Sequence, residues 1–137
     1  MSKRGSMQQS GEKASVLAGR SVLVVEDETI ISLEIEQMLQ DLDCGPIWHA
    51  ANVVQALAVL GEHRPDVALL DVNLGREKVF PVADMLIDRA IPFIFSTGYG
   101  RDGLPLEWAG WPVIQKPYLT RELAMALTPL VEGAKGI

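Results

Sequence analysis

Asp66-Val-Ala-Leu-Leu-Asp71 is the stretch on which the fold turns: a short apolar run, bounded by acids, that carries a carboxylate to the end of a buried strand. An acid delivered to such a strand end is placed for chemistry. A second run, Ser21-Val-Leu-Val-Val-Glu26-Asp27-Glu28, also climbs through apolar residues and ends in acids. Side by side in a parallel sheet, the two runs would bring Glu26, Asp27 and Asp71 into one crevice. Two unit charges about 4 Å apart repel by roughly 4 kcal/mol at an effective dielectric of about 20. Such a cluster calls for a cation, and oxygen ligands without cysteine or histidine suit a hard divalent ion, Mg2+ in particular.

Outward from these runs, apolar strands alternate with amphipathic stretches, the βαβα pattern of a parallel sheet covered by helices on both faces. Strands are expected at Ser21 to Val25, Pro46 to Ala50, Asp66 to Leu70, Pro92 to Ser96 and Pro112 to Gln115. Helices are expected over Glu28 to Leu42, Val53 to Glu62 with Asn52 as N-cap, Val79 to Asp88, and from an N-cap at Thr120 through Leu123, Leu127 and Val131. Between the fourth and fifth strands, Gly98, Gly100, Gly103, Pro105 and Gly110 crowd the place of a fourth helix, which is expected to be short or irregular. Trp48, Trp108 and Trp111 read as packing residues.

The chain has 137 residues and a formal net charge of -6, enough for one domain and its core, and the wrong sign for a nucleic-acid partner. Cys44 is the single cysteine, which excludes an internal disulfide and reads as a buried or half-buried free thiol. No apolar run approaches the roughly 20 residues of a membrane span, so no membrane insertion and a cytoplasmic location are expected. Residues 1–19 read as a flexible polar tail, with Gly5-Ser6-Met7 as a cloning remnant before a native start at Met7; the domain is expected over 20–133.

In a doubly wound sheet, ligands bind beyond the carboxyl ends of the strands. That edge carries Glu26 and Asp27, then Asp71, then Thr97, then Lys116. Two acids for a metal, one acid as nucleophile, a hydroxyl and an ammonium make a set for phosphoryl transfer. This ordered set resembles the receiver domain of two-component response regulators, from Arg20 to about Val131. The resemblance implies a flavodoxin-like, five-stranded α/β fold of strand order 2-1-3-4-5. It makes Asp71 the phosphoacceptor and Glu26-Asp27 the acidic Mg2+ pair, with Asn73 ligating through its backbone carbonyl. It also makes Thr97 the switch hydroxyl and Lys116-Pro117 the lysine before a cis-proline. Pro92-Phe-Ile-Phe-Ser-Thr-Gly-Tyr99 further resembles the Phe-Ala-Thr-Gly motif of a group of alphaproteobacterial single-domain receivers, the FATGUY group.

The resemblance implies a stand-alone receiver, without an output domain, that takes its phosphoryl group from a sensor histidine kinase or a histidine phosphotransfer protein. It would act through contacts with a downstream protein or as a phosphate sink, and would catalyse its own phosphorylation and dephosphorylation without being a conventional enzyme. One departure bears on the switch: Val113 stands where the family carries an aromatic residue. Tyr99, between Gly98 and Gly100, is then the candidate for the moving aromatic, and Gly98 leaves room for the phosphoryl group. Tyr99, Trp111 and Tyr118 are expected on the contact face. His49 and His63 are assigned no metal or phosphotransfer role. The rival reading is a receiver-shaped interaction module that works without phosphorylation. A Mg2+-dependent phosphatase is disfavoured because Asn73 stands where a second Asp would be needed.

Overall fold

Strands that are apolar at every position must be covered on both faces, and the chain meets this with a parallel sheet between two helical layers. The computed structural model describes residues 15–135. Its strands are β1 (Val22–Val25), β2 (Ile47–Ala50), β3 (Val67–Asp71), β4 (Phe93–Thr97) and β5 (Val113–Gln115). They pair in parallel in the order β2-β1-β3-β4-β5, the flavodoxin-like order.

Each strand begins one residue later than the sequence suggests. Pro46, Pro92 and Pro112 have no N–H for the ladder, but their carbonyls accept from Val22, Ala68 and Phe95 at 3.0, 3.1 and 3.0 Å. Asp66 is taken up at the opposite edge from the candidate site, accepting the Ser21 N–H at 2.8 Å. β3 and β4 also run one residue further than expected, so Asp71 and Thr97 are their last residues.

Alternation along the strands divides the core. Leu23 and Val25 join Ala56 and Leu60 of α2 (Val53–Glu62) and Val82 and Leu86 of α3 (Phe80–Asp88). Val22 and Val24 join Ile35 and Leu39 of α1 (Thr29–Asp41) and Leu123, Leu127 and Val131 of α4 (Thr120–Lys135). Each such leucine contributes about 1.5–3 kcal/mol through its burial. Cys44 lies in the second cluster, where burial pushes its thiol up to about 11.

Helix ends differ from expectation by a residue. Glu28 and Val79 are N-caps of α1 and α3, and Asn52 caps α2 as expected, accepting the Gln55 N–H at 2.9 Å. Thr120 is the first residue of α4 rather than its cap. The chain before it is fixed by Glu122, whose Oε1 accepts the Leu119 N–H at 2.7 Å.

In place of a fourth helix the chain forms two 3-10 turns, Gly100–Gly103 and Leu106–Trp108, because Gly100 at φ +59° and Pro105 interrupt any longer helix. The expected tail of 1–19 needs correction within the described residues. Leu17 is 1% exposed in the second core cluster, and the Gly19 N–H donates to the Asp43 carbonyl at 2.8 Å, so both residues belong to the folded domain. The remainder of that tail, with Gly5-Ser6-Met7, lies outside the described residues. Among the described residues, no helix is long and apolar enough to cross a membrane.

Candidate functional site

The parallel register fixes the site. Val25 pairs with Leu70, and Asp71 with Ser96, so the chain leaving β1 reaches its acids level with the end of β3. Glu26 is held there by its backbone N–H on the Ala50 carbonyl at 2.9 Å and by its Oε2, which accepts the Glu28 N–H at 3.1 Å. From the edge strand, the Lys116 N–H donates to the Thr97 carbonyl at 2.9 Å, and the side chain reaches back across the sheet. Its ammonium donates to Glu26 Oε1 at 3.1 Å and lies 3.4 Å from Asp71 Oδ1.

Oxygens of Glu26, Asp27 and Asp71 lie within 4.8 Å of one another, with Glu26 and Asp71 buried and Asp27 exposed. Burial, first, and the Glu26 carboxylate, second, push Asp71 up to about 7, against the pull of Lys116. Burial works to lower Lys116, but Asp71 and Glu26 outweigh it and hold the ammonium above its ordinary value. Three carboxylates around one ammonium leave an excess of negative charge. The all-oxygen donor set, with one acid open to solvent, fits a hard divalent cation.

Asn73 opens a two-residue ladder, Asn73–Leu74 against Glu77–Lys78, and the Lys78 ammonium donates to its side-chain oxygen. The turn of that ladder passes beside the acids: Gly75 has φ +67°, and a Cβ there would lie 3.9 Å from Asp27 Oδ2. Thr97 is buried at the end of β4, where its Oγ1 accepts the Tyr99 N–H at 3.1 Å and bonds neither Asp71 nor Lys116. A Cβ on Gly98 would meet nothing within 4 Å, so space is open at that position. The Lys116–Pro117 peptide is cis.

One residue of the expected contact face lies inside the fold. Tyr99 is 72% exposed, but Tyr118 is 9% exposed and lies in the core between α1 and α4. Trp111 is partly buried, stacked on Phe93 with ring centroids 5.1 Å apart. Val113, paired with Phe95, packs against the same core. Trp108 stacks on Phe80 at 5.3 Å and Trp48 on His63 at 4.5 Å, the packing roles expected of them.

His49 lies closer to the acids than its strand suggested, lining with Glu26, Asp27 and Ser32 a recess of about 240 Å3. Its ring nitrogens are engaged elsewhere, Nδ1 with Ser32 Oγ at 2.7 Å and Nε2 with Glu36 Oε1 at 3.2 Å. Sequence reasoning missed a polar pair below the carboxylates. The hydroxyls of Ser96 and Tyr118 are buried near each other, neither with a well-formed hydrogen bond among the described residues, and burial, offset in part by Ser96, raises the Tyr118 phenol above its ordinary value. The signal for Ser96 was available, since pairing with Asp71 puts both side chains on one face of the sheet.

Residues 22–127 match the family model of the response regulator receiver domain. The chain belongs to that family. Among curated proteins it is 25% identical over 92 residues to the transcriptional regulatory protein PdtaR of Mycobacterium tuberculosis, covering 66% of this chain and 45% of that protein. It is 30% identical over 110 residues to the sensory transduction protein LytT of Bacillus cereus, covering 77% and 45%. The chain thus spans less than half the length of these two relatives.

Among solved structures, SdrG from Sphingomonas melonis Fr1 is 40% identical with a TM-score of 0.73, over 82% of this chain and 97% of that one. The BeF3-activated conformation of SdrG aligns at 41% identity and a TM-score of 0.72, over 83% and 98%. The receiver domain of the sensor histidine kinase PA1611 from Pseudomonas aeruginosa, solved with magnesium coordinated in its active-site cleft, is 26% identical with a TM-score of 0.72, over 84% and 99%.

Proposed function

We propose that the chain is a receiver that accepts a phosphoryl group on Asp71 from a phosphohistidine of a sensor kinase or phosphotransfer protein. The observation that carries this reading is the Lys116 ammonium, held 3.1 Å from Glu26 and 3.4 Å from Asp71 inside a cluster of three carboxylates. A buried acid served by a cation on one side and open to a second cation on the other is set for attack on phosphorus.

In the step proposed, an Asp71 carboxylate oxygen bonds to phosphorus as the bond to the donor imidazole nitrogen breaks. The product is an acyl phosphate, and the imidazole leaves neutral with the electron pair, its second ring nitrogen keeping the proton it carried in the donor. Glu26, Asp27 and Asp71, with the Asn73 carbonyl, would hold Mg2+, which when bound would neutralise charge on the phosphoryl oxygens. Lys116 shifts from Glu26 toward a phosphoryl oxygen, keeping its contact with the strand end. Thr97 supplies a hydroxyl to another oxygen after leaving its bond to Tyr99. Phosphorylation then alters the exposed surface around Tyr99, through which a downstream protein is bound, or the chain serves as a phosphate sink. This reading includes action in the cytoplasm.

The test is incubation of the chain with acetyl phosphate and Mg2+, followed by intact mass. One added phosphoryl group on the wild type and none on Asp71→Asn is the expected result. A wild type that gains no mass, with acetyl phosphate or with a phosphohistidine donor, would return the chain to an interaction module that works without phosphorylation. An Asp71→Asn chain that still gains it would move the acceptor elsewhere.

A further inference from the structure

Thr97 is 2% exposed, and Gly103 packs directly on it. A Cβ built on Gly103 would lie 3.2 Å from both Cβ and Cγ2 of Thr97, and closer still to its Oγ1. Residue 103 is therefore glycine for space, since its φ lies outside the left-handed region that Gly100 occupies at +59°. Gly98 and Gly110, in the same stretch, would meet nothing within 4 Å.

The two sides of this contact are unequally held. Gly103 sits in a segment fastened on both sides. Leu104 and Trp108 are each 9% exposed, and the Arg101 guanidinium donates to the Ala109 and Trp111 carbonyls at 3.1 and 3.2 Å. The Thr97 side chain is held by one hydrogen bond, from the Tyr99 N–H at 3.1 Å. A rotamer change is the smaller rearrangement of the two.

We propose that Gly103 is a positioning residue: its bare Cα gives the Thr97 hydroxyl a place away from the phosphorylation site. Filling that place drives Thr97 toward Asp71. The inference rests on the reading of Asp71 as acceptor and Thr97 as the hydroxyl that meets the phosphoryl group. It goes beyond that reading by assigning the unphosphorylated position of Thr97 to a backbone contact from the segment that replaces the fourth helix.

The experiment uses the full chain and the variant Gly103→Ala, with Gly110→Ala as a control for adding a methyl where space is open. In Mg2+ alone, the Thr97 methyl resonance of Gly103→Ala should move toward its position in wild type treated with beryllofluoride, an acyl-phosphate mimic. Phosphorylation by acetyl phosphate should be about fivefold faster or more, as expected when overpacking destabilises one of two states. Gly110→Ala should match wild type in both measurements.

A Gly103→Ala chain with the wild-type Thr97 resonance and rate would overturn the proposal, because the 3-10 segment would then have yielded instead. Should Gly103→Ala be badly destabilised, Thr97→Ala in the same chain should restore most of the lost melting temperature, whereas additive losses would equally overturn it. A wild type that never gains a phosphoryl group defeats the reading of Asp71, an outcome separate from any result of the melting-temperature cycle.

Discussion

Asp71→Asn should make the protein more stable when no divalent ion is present, although it removes the group on which the proposed chemistry depends. Asp71 is held at about 7 in the folded chain against an ordinary 3.8. The folded state therefore binds the Asp71 proton more tightly than the unfolded chain does, and stability falls as pH rises from about 4 through about 7. The full difference, roughly 3 pH units at about 1.4 kcal/mol each, has an upper limit of about 4 kcal/mol at pH 8.

Solvent still reaches the site from the Asp27 side, and Lys116 keeps only Glu26 once the charge is gone. Both effects reduce the gain to about 2 kcal/mol. Asparagine keeps the shape and removes the charge. In EDTA at pH 8 the variant should melt about 6–10 °C above wild type, and at pH 5 the gap should shrink to less than half. Added Mg2+ should narrow the pH 8 gap by stabilising the wild type selectively. Thermal melts at the two pH values, with EDTA and with Mg2+, make the comparison. A variant less stable than wild type at pH 8 in EDTA would refute the argument that the carboxylates are crowded beyond what Lys116 relieves.

Asp27→Ala should raise the metal-free melting temperature by about 1–3 °C and weaken Mg2+ binding in calorimetry; a lower melting temperature would mean that Asp27 serves the start of α1. Tyr118→Phe removes a buried hydroxyl that makes no well-formed hydrogen bond among the described residues and should stabilise the fold by about 1 kcal/mol in urea denaturation. A loss of that size would reveal a bond to Ser96 or to a buried water instead. Leu123→Ala, at a fully buried position of α4, should cost about 2–5 kcal/mol by the same measurement. Tyr99→Ala, at an exposed ring, should leave stability within about 0.5 kcal/mol and still accept phosphate, but lose it faster and bind a partner with little dependence on phosphorylation. Unchanged acyl-phosphate lifetime and partner affinity would remove Tyr99 from the mechanism.

The sheet was legible because its signal is local: short apolar runs give the strands, and the two that lead into acids, β1 and β3, mark the edge where the side chains gather. Asp71, Glu26 and Lys116 come together because strand ends in a parallel sheet lie level, a consequence of topology that spacing alone can convey. Tyr118 was misread for the opposite reason. An aromatic after Lys-Pro carries no sign of whether the chain turns its ring outward or inward, and that is decided by α1 and α4, which come from distant parts of the sequence. Gly103 was noticed only as one glycine among several. What separates it from Gly98 and Gly110 is a contact with Thr97 that no local pattern encodes.

The aromatic arrangement also gives the protein a built-in optical probe. Trp108 and Trp111 lie 5.9 Å apart, in contact with Phe95 and Phe93 of the strand that ends in Thr97. Trp48 packs against the same core cluster from the far edge of the sheet, stacked on His63. Two of the three indoles thus sit where a displacement of Thr97 would change their surroundings, while the third provides a nearly constant background. Emission from the unlabelled chain can follow events at the end of β4 in real time, and Trp48→Phe would isolate that signal without altering the carboxylate cluster.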